Sequence, residues 1–150
     1  MIIEKIDPDK YHKILRHLFY GDNDWINNYQ NVSGHVFTDK GLNKVVSKTI
    51  EDINVCDNYE FYVIKKDREP LAYFGKEDFN GLVFMTGFYV KIKYRTKEFI
   101  SYFWDVVEQT MNHEPVYCNI MKKNIIASHF LLKKGSVVID KNDILTFKIL

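Results

Sequence analysis

The stretch KIKYRTKEFISYFWDVVEQTM, from Lys91 to Met111, decides which fold this sequence predicts. Basic residues alternate through its first seven positions, as they would along the end of a β-strand, and an amphipathic helix follows from about Thr96. Backbone N–H groups are unpaired at the start of a helix, where the helix dipole is also positive. A strand, a basic turn and a helix N-terminus therefore form a natural anion-binding arrangement.

This turn lacks glycine, which usually stands where a backbone approaches a phosphate closely. Glu98 occupies the first turn of the helix instead, and its charge neutralises part of the dipole, an effect of about 0.3–1 kcal/mol. Two interpretations stay open at this point. Either the turn binds a phosphate with Arg95 and Lys97 as charged donors, or it is a solvated turn in which Thr96 caps the helix and Glu98 satisfies the dipole.

Hydrophobic periodicity on both sides of this stretch predicts the element order β-α-α-β-β-β-α-β-α-β-β. The first helix begins at an Asp-Pro signal at Asp7, and Asn80-Gly81 is typical of a tight β-hairpin. The strand that follows this hairpin is expected to continue to Lys93. The order predicts an α/β (α+β) fold with one mixed sheet, in a single domain that covers residues 1–150.

The composition excludes several classes of protein. Of the 150 residues, 46% are apolar and 15% aromatic, which is typical of a folded domain. A net charge of +1 provides no overall field for nucleic acid or a membrane, and no apolar run reaches the ~18 residues of a membrane span. Cys56 and Cys118 stand far apart and no Cys/His spacing fits a metal site, so we expect no metal and a cytoplasmic protein with reduced thiols.

A second segment, NIIASHFLLKKGS, starts at Asn124 and has the pattern of a short helix. Asn124 fits the N-cap of this helix, and helical spacing predicts that Ile126, Phe130 and Leu131 face the core. Gly135 fits the left-handed position that commonly follows a helix C-terminus.

Taken together, the two segments resemble the acetyl-CoA-binding half of the GNAT superfamily of N-acyltransferases, and the element order resembles that fold over the whole chain. The family's turn typically reads V-x-P-E-Y-R-G-K-G-I-G, which matches at Val90, Tyr94, Arg95 and Lys97 and departs from two glycines at Glu98 and Ile100. The second motif, N-x-x-A-x-x-F-Y-x-K-x-G-F, matches at Asn124, Ala127, Phe130, Lys133 and Gly135 and departs at Leu131 and Ser136. The shortened pattern is also similar to GNAT-like proteins of phages.

The resemblance implies a mixed central sheet of about seven strands flanked by about four helices, with acetyl-CoA in a cleft between the fourth and fifth strands. It implies that the pantetheine pairs with the fourth strand and that the pyrophosphate lies on the turn before the long helix. The cofactor-binding positions that it implies are Phe88, Val90, Arg95, Thr96, Lys97, Glu98, Phe99, Ile100, Asn124 and Ser128.

The resemblance implies fewer catalytic groups than the family usually has. The tyrosine that protonates the departing thiolate corresponds to Leu131, and a leucine cannot donate a proton. Tyr89 and Ser128 are therefore the candidate catalytic residues. A backbone N–H of the fourth strand, near Phe88, would stabilise the oxyanion.

The acceptor side rests on the loop between the first two helices, which helps to form the acceptor pocket in the family. Here that loop carries Trp25, Tyr29 and His35, which would bind a flat or cationic amine by stacking or would pack over the core as a lid. The fourth strand has no carboxylate, so Glu77, Asp78 or His35 would act as the base through water.

Two functional hypotheses follow from these matches and departures. The first is an acyl-CoA-dependent N-acyltransferase with acetyl-CoA as co-substrate and a small-molecule or protein amine as acceptor. The second is a catalytically inactive GNAT-fold protein that serves as a binding module or as a phage virion-associated structural protein. In either case we expect a monomer or homodimer without nucleic-acid or membrane partners. We expect it in the cytoplasm, and a phage protein would lie in the host cytoplasm or in the virion.

Overall fold

The computed structural model describes residues 1–26 and 41–150. Its helices and strands, in chain order, are β1 (Ile2–Ile6), α1 (Tyr11–Phe19), α2 (Gly41–Asn54), β2 (Tyr59–Lys66), β3 (Glu69–Phe79), β4 (Leu82–Val90), α3 (Lys97–Met111), β5 (Val116–Met121), α4 (Ile125–Leu132), β6 (Ser136–Lys141) and β7 (Ile144–Lys148). A further helical segment, 23–26, runs up to the end of the first described range. The predicted element order and the mixed α/β fold class are confirmed.

The seven strands form one sheet in the order β1-β2-β3-β4-β5-β7-β6, and β4 and β5 are its parallel pair. The predicted hairpin joins β3 to β4. Its two turn residues, Asn80 and Gly81, both have positive φ angles, 51° and 77°. That conformation matches the right-handed twist of the two strands, and Asn-Gly adopts it with little strain. The hairpin therefore sets the register of β3 against β4.

Helices cover the two faces of the sheet and divide the core into two parts. On the first face, α1 and α2 bury Leu15, Phe19 and Val46 against the sheet; we call it the α1/α2 face. On the opposite face, which we call the α3 face, Phe103 and Val107 of α3 pack against the other side of the sheet. These buried positions recur three or four residues apart, as in an amphipathic helix.

A β-bulge interrupts β4 at Thr86 and Gly87. The pairing of Lys76 with Met85 and of Phe74 with Phe88 leaves both bulge residues opposite Gly75. Gly87 has a φ angle of +80°, which is typical of the glycine in such a bulge.

The bulge decides which side chains of β4 face which helices. Met85 lies in the core of the α3 face before the bulge, and Val90 lies in the same core after it. Tyr89 lies in the core of the α1/α2 face. Strict alternation would place Met85 and Tyr89 on one face, so the extra residue exchanges the faces for the last part of β4.

The prediction that the fourth strand continues to Lys93 is wrong. β4 ends at Val90, and residues Ile92–Tyr94 form a single turn of 3-10 helix. This turn brings the side-chain amines of both Lys91 and Lys93 to the Glu69 carboxylate, at 3.0 and 3.3 Å. Lys91 and Lys93, the first two of the alternating basic residues, thus share one ion-pair partner and do not lie on a strand.

Two predictions about the second segment are also wrong. Ile126 is 51% exposed, because α4 buries Ala127, Ser128 and Leu131 along a different stripe of the helix. Gly135 does not have a left-handed conformation. A glycine is needed there for space, since a Cβ atom would lie 2.1 Å from the carbonyl oxygen of Lys148.

Candidate functional site

The parallel strands β4 and β5 separate soon after they meet. Their paired residues are Val83 with Val116 and Phe84 with Tyr117. From Met85 to the end of β4, the edge that faces β5 has no strand partner in the described sheet, while β5 continues beside β7. We call this gap, between residues 85–90 of β4 and β5, the wedge. Unpaired backbone groups at a strand edge favour pairing with an added extended segment.

The wedge opens at the carboxyl ends of β4 and β5, where α3 and α4 begin. In α/β sheets, ligands bind in crevices at this end of parallel strands. On the α3 face, α4 lies beside the wedge because the Phe130 ring stacks on Phe88 of β4, with ring centroids 5.2 Å apart. Trp104 of α3 stacks on the other side of Phe130, also at 5.2 Å. The wedge therefore has an aromatic wall on this face.

The turn before α3 keeps the features of a helix N-terminus that the sequence predicts. Thr96 is the N-cap, and its hydroxyl oxygen accepts the Phe99 N–H at 3.2 Å. The Lys97 and Glu98 side chains are both exposed. The first N–H groups of a helix have no carbonyl partner within it, so those of Lys97 and Glu98 are unpaired within α3.

Arg95 is held by the protein itself. Its Nη2 lies 3.0 Å from Oδ2 of Asp22, and its Nε donates to the carbonyl oxygen of Val90 at 2.8 Å. The guanidinium also lies 5.3 Å from the centre of the Tyr89 ring. Since a guanidinium carries five N–H groups and the side chain is 40% exposed, several donors remain on its outer edge.

Asp22, the partner of Arg95, is a buried carboxylate that sequence reasoning missed. It is 2% exposed and accepts hydrogen bonds from the Tyr89 hydroxyl and from the backbone N–H of Trp25, the latter at 3.0 Å. We call Asp22, Trp25, Tyr89 and Arg95 the Asp22 network. Asp22 precedes the helical segment 23–26 at the N-cap position, which is the one sequence signal that pointed to it.

The candidate acid Tyr89 uses its hydroxyl within this network. Burial raises the pKa of Tyr89 well above its usual range. The Asp22 carboxylate, which accepts the hydrogen bond of the Tyr89 hydroxyl, raises this pKa further. Tyr89 points into the α1/α2 core, whereas the aromatic wall of the wedge lies on the α3 face. Its role as a proton donor stays a prediction.

The other candidate, Ser128, has a free hydroxyl. The residue is 8% exposed, and its Oγ atom has no hydrogen-bond partner among the described residues. It lies on α4 one turn before the fully buried Leu131. Buried hydroxyl groups are normally hydrogen-bonded, and the Ser128 hydroxyl departs from that pattern within the described residues.

The remaining predicted cofactor-binding positions lie at the end of β4, in the first turn of α3 and at the start of α4. Asn124 caps α4, and its Oδ1 accepts the Ala127 N–H at 3.2 Å. The side chains of Val90 and Phe99 are buried in the core of the α3 face, and Ile100 packs against it. These residues would therefore contact a cofactor through their backbones.

The predicted acceptor residues are described only in part. Trp25 packs against Phe19 and Tyr89, with ring centroids 5.6 and 5.4 Å apart, so its indole helps to cover the α1/α2 core. Tyr29 and His35 lie outside the described residues.

Glu77 is held beside the bulge. Its carboxylate accepts the Thr86 hydroxyl at 3.1 Å and the backbone N–H of Asp57 at 2.9 Å. The Tyr59 hydroxyl donates to the carbonyl oxygen of Thr86 at 3.1 Å, so two side chains hold the bulge in place. The β3–β4 hairpin signal places Glu77 next to β4, but nothing local in the sequence indicates the bulge.

Burial keeps both cysteines protonated at neutral pH. It raises the pKa of Cys56 to about 11, with the nearby Glu77 carboxylate raising it further, and it raises the pKa of Cys118 to about 12. Among the described residues no group of His, Cys, Asp and Glu side chains is arranged to hold a metal ion. In the same ranges, no helix has the length and apolar character needed to cross a membrane.

The raised pKa of Cys56 predicts slow alkylation. Because only the thiolate reacts, iodoacetamide at pH 8 should modify Cys56 about 240-fold more slowly than a free cysteine of pKa about 8.5. Mass spectrometry of intact protein over time measures the rate, and the same reaction in urea, where burial is lost, is the control. Modification of the folded protein at the rate seen in urea would contradict the expectation.

No protein-family model matches this chain, and no curated protein sequence matches it either. Solved structures match nearly its full length. An acetyltransferase from Thermus thermophilus matches with a TM-score of 0.65 and 12% identity, over 98% of this chain and 96% of that one. The PaiA N-acetyltransferase from Thermoplasma acidophilum, solved in complex with coenzyme A, matches with a TM-score of 0.58 and 10% identity, over 98% of both chains.

A third structure, the ribosomal-protein-alanine N-acetyltransferase from Brucella melitensis, matches with a TM-score of 0.55 and 15% identity over 100% of both chains. The chain has the GNAT acetyltransferase fold. At these identities the similarity shows the fold alone. Within the GNAT fold, the wedge lies between the fourth and fifth strands, the position at which the sequence resemblance placed the acyl-CoA cleft.

Proposed function

We propose that this protein is an acyl-CoA-dependent N-acyltransferase that uses acetyl-CoA to acetylate a small-molecule or protein amine. The observation that carries the proposal is the wedge, a length of unpaired strand edge from Met85 to Val90 inside an otherwise continuous sheet. Pantetheine is an extended chain with two amides, which suits pairing with such an edge. The PaiA protein, which has this fold, was solved in complex with coenzyme A.

The charged groups near the start of α3 suit the pyrophosphate of the cofactor. The N–H groups of the first helical turn, the exposed Lys97 amine and the outer edge of the Arg95 guanidinium are all anion donors. Glu98 opposes them with one exposed negative charge, whose effect on a helix N-terminus is about 0.3–1 kcal/mol. The donors outnumber the carboxylate, so the proposal is that the turn binds the pyrophosphate.

The reaction that this arrangement supports is direct transfer. A neutral amine attacks the thioester carbon, a C–N bond forms, and the carbonyl oxygen becomes an oxyanion that a backbone N–H of β4 near Phe88 stabilises. The C–S bond then breaks and its electron pair leaves with the sulfur of CoA. The amine's proton passes through water to a base, for which Glu77 is the carboxylate held beside the bulge.

We place the protein in the cytoplasm, which for a phage-encoded protein means that of the host, as a monomer or homodimer. Failure to bind acetyl-CoA would instead favour an inactive binding protein or virion component, which the departures at Glu98, Ile100, Leu131 and Ser136 suggest.

Isothermal titration with acetyl-CoA tests the proposal. Wild-type protein should bind with a dissociation constant in the micromolar range. Lys97→Ala should weaken binding about 2- to 5-fold and Glu98→Gln should strengthen it by a similar factor, because each changes one exposed charge at the α3 N-terminus.

Lys44→Ala is the matched control, since Lys44 is an exposed lysine on α2. It should leave the affinity unchanged. Absence of binding at millimolar acetyl-CoA would contradict an acyltransferase function and would support the inactive GNAT-fold alternative.

A further inference from the structure

Four neighbouring strands each contribute one residue to a row that crosses the sheet. Paired in register on β3, β4, β5 and β7, these residues, which we call the transverse row, are Glu77, Phe84, Tyr117 and Lys148. Residues that pair directly point to the same side of a sheet, and successive residues of a strand point to opposite sides. Val83 and Met85, on either side of Phe84 in the chain, lie in the core of the α3 face. The transverse row therefore lies on the α1/α2 face.

The transverse row marks the closed end of the wedge. Phe84 and Tyr117 are the last pair that joins β4 to β5, and the unpaired edge of β4 begins at the next residue, Met85. In the binding mode proposed above, the pyrophosphate lies at the start of α3 and the pantetheine follows the unpaired edge, so the thioester reaches this closed end. On the α3 face, Val83 and Met85 are buried in the core beneath α3. The side from which an amine can approach the thioester is therefore the α1/α2 face, across the row.

The two ends of the row carry opposite charges that have no ion-pair partner. Glu77 accepts hydrogen bonds from the Thr86 hydroxyl and the Asp57 backbone N–H, but no cationic side chain among the described residues pairs with it. Lys148 is exposed, and it pairs with no carboxylate in the same part of the chain. Since a carboxylate can accept about four hydrogen bonds, Glu77 retains capacity for an ammonium group.

Two aromatic rings lie between these charges. The ring centroids of Phe84 and Tyr117 are 6.0 Å apart, and both residues are half-buried, so part of each remains accessible. Neighbouring strands are about 4.8 Å apart, which places the Cα atoms of Glu77 and Lys148 about 14 Å from each other across the sheet. A molecule that lies along the row meets a carboxylate, an apolar surface and an ammonium group, in that order.

We propose that the acceptor is a zwitterionic aromatic amine, with a primary amine at one end of a flat body and a carboxylate at the other. Glu77 attracts the ammonium group beside the thioester, and Lys148 binds the carboxylate. The rings of Phe84 and Tyr117 support the flat body between them. This inference rests on the acyltransferase function proposed above and names the class of its acceptor. It also gives Glu77 two successive roles, because the carboxylate that attracts the ammonium group then takes its proton through water.

The experiment compares three acceptors that differ only in the group opposite the amine. A carboxylate stands there in para-(aminomethyl)benzoate, a neutral amide in para-(aminomethyl)benzamide and a second ammonium group in para-xylylenediamine. Release of the CoA thiol from acetyl-CoA gives kcat/KM for each acceptor with wild-type protein, Lys148→Gln and Lys148→Glu. Lys141→Gln is the matched control, since Lys141 is an exposed lysine at the other end of β6 from Ser136, the residue that pairs with Lys148.

Wild-type protein and the control should use the benzoate about 5- to 10-fold better than the benzamide, because a carboxylate forms charge-assisted hydrogen bonds with an ammonium group. Lys148→Gln should bring this ratio close to one. Lys148→Glu should prefer the diamine, whose second ammonium group then meets a carboxylate. A lysine with a purely structural role would change the rates with all three acceptors alike and would not reverse their order.

Titration with acetyl-CoA distinguishes failure of this inference from failure of the function on which it rests. If wild-type protein binds acetyl-CoA but uses the three acceptors equally, or acetylates none of them while acetylating other amines, the inference is overturned and the proposed function stands. If Lys148→Glu keeps the wild-type order of preference, the inference is again overturned. If wild-type protein does not bind acetyl-CoA, the proposed function fails and the inference fails with it.

Discussion

Arg95→Ala is expected to lower the free energy of unfolding by about 3 kcal/mol. The substitution leaves the Asp22 carboxylate, which is 2% exposed, without its cation, and breaking one side of a buried ion pair costs about 3–5 kcal/mol. The lower end applies because Arg95 is 40% exposed and because the Tyr89 hydroxyl and the Trp25 N–H still donate to Asp22. Urea unfolding followed by tryptophan fluorescence measures the change.

Lys97→Ala is the control, since this exposed lysine lies two residues away and should cost less than about 0.5 kcal/mol. The double variant Asp22→Asn/Arg95→Ala should be more stable than the sum of the single losses predicts, because the unpaired charge is then absent. If Arg95→Ala and Lys97→Ala lower the free energy of unfolding equally, the Arg95–Asp22 ion pair does not stabilise the fold. If Arg95→Ala binds CoA more weakly, the cause could be either the lost stability or a lost phosphate contact. Lys97→Ala changes only the charge at the turn, so it tests phosphate binding more directly.

Gly135→Ala is the second substitution for which we expect a large loss, about 3 kcal/mol or more. The added Cβ atom would lie 2.1 Å from the carbonyl oxygen of Lys148 and 3.0 Å from Cα of Ile149. Both are backbone atoms, so no side-chain rotation relieves the overlap, and overpacking of this kind costs about 1–3 kcal/mol or more. Ile149 donates to Val116 at the start of β5, so the displacement reaches the paired base of the wedge.

Gly81→Ala separates crowding from backbone strain. A Cβ atom at Gly81 would meet nothing within 4 Å, but the φ angle of +77° is unfavourable for alanine by about 1–2 kcal/mol. Urea unfolding of both variants should therefore show a larger loss for Gly135→Ala. If the two losses are equal, or if Gly135→Ala is the smaller, close packing against β7 is not the reason for glycine at this position.

Much of the candidate site could be predicted because its signals are local. The caps at Thr96 and Asn124 depend on one side chain and an N–H three residues later, and both are confirmed. The partner of Arg95 could not be predicted in this way, because Asp22 lies 73 residues earlier in the chain. No periodicity relates such positions, and the sequence signal of Asp22 concerned only the helical segment that follows it.

The errors on α4 have the same origin. Helical spacing correctly predicts that one stripe of α4 is buried, but the structure buries Ser128 and leaves Ile126 51% exposed. Spacing and hydrophobicity together predict a buried Ile126, because neither contains the direction from which the rest of the protein packs on α4. The contact of Phe130 with Phe88, which orients the helix, joins elements far apart in sequence.

The sequence by itself determined the helices, the strands, the Asn80-Gly81 hairpin and the general fold, because periodicity, capping and turn conformation depend on residues a few positions apart. Only the tertiary structure decided where β4 and β5 separate and that the bulge at Gly87 exchanges the faces of β4. It also decided that Arg95 pairs with Asp22 and that the Ser128 hydroxyl stays unpaired within the described chain. These features depend on which distant segments meet, since pairing and burial are set by packing rather than by neighbours along the chain.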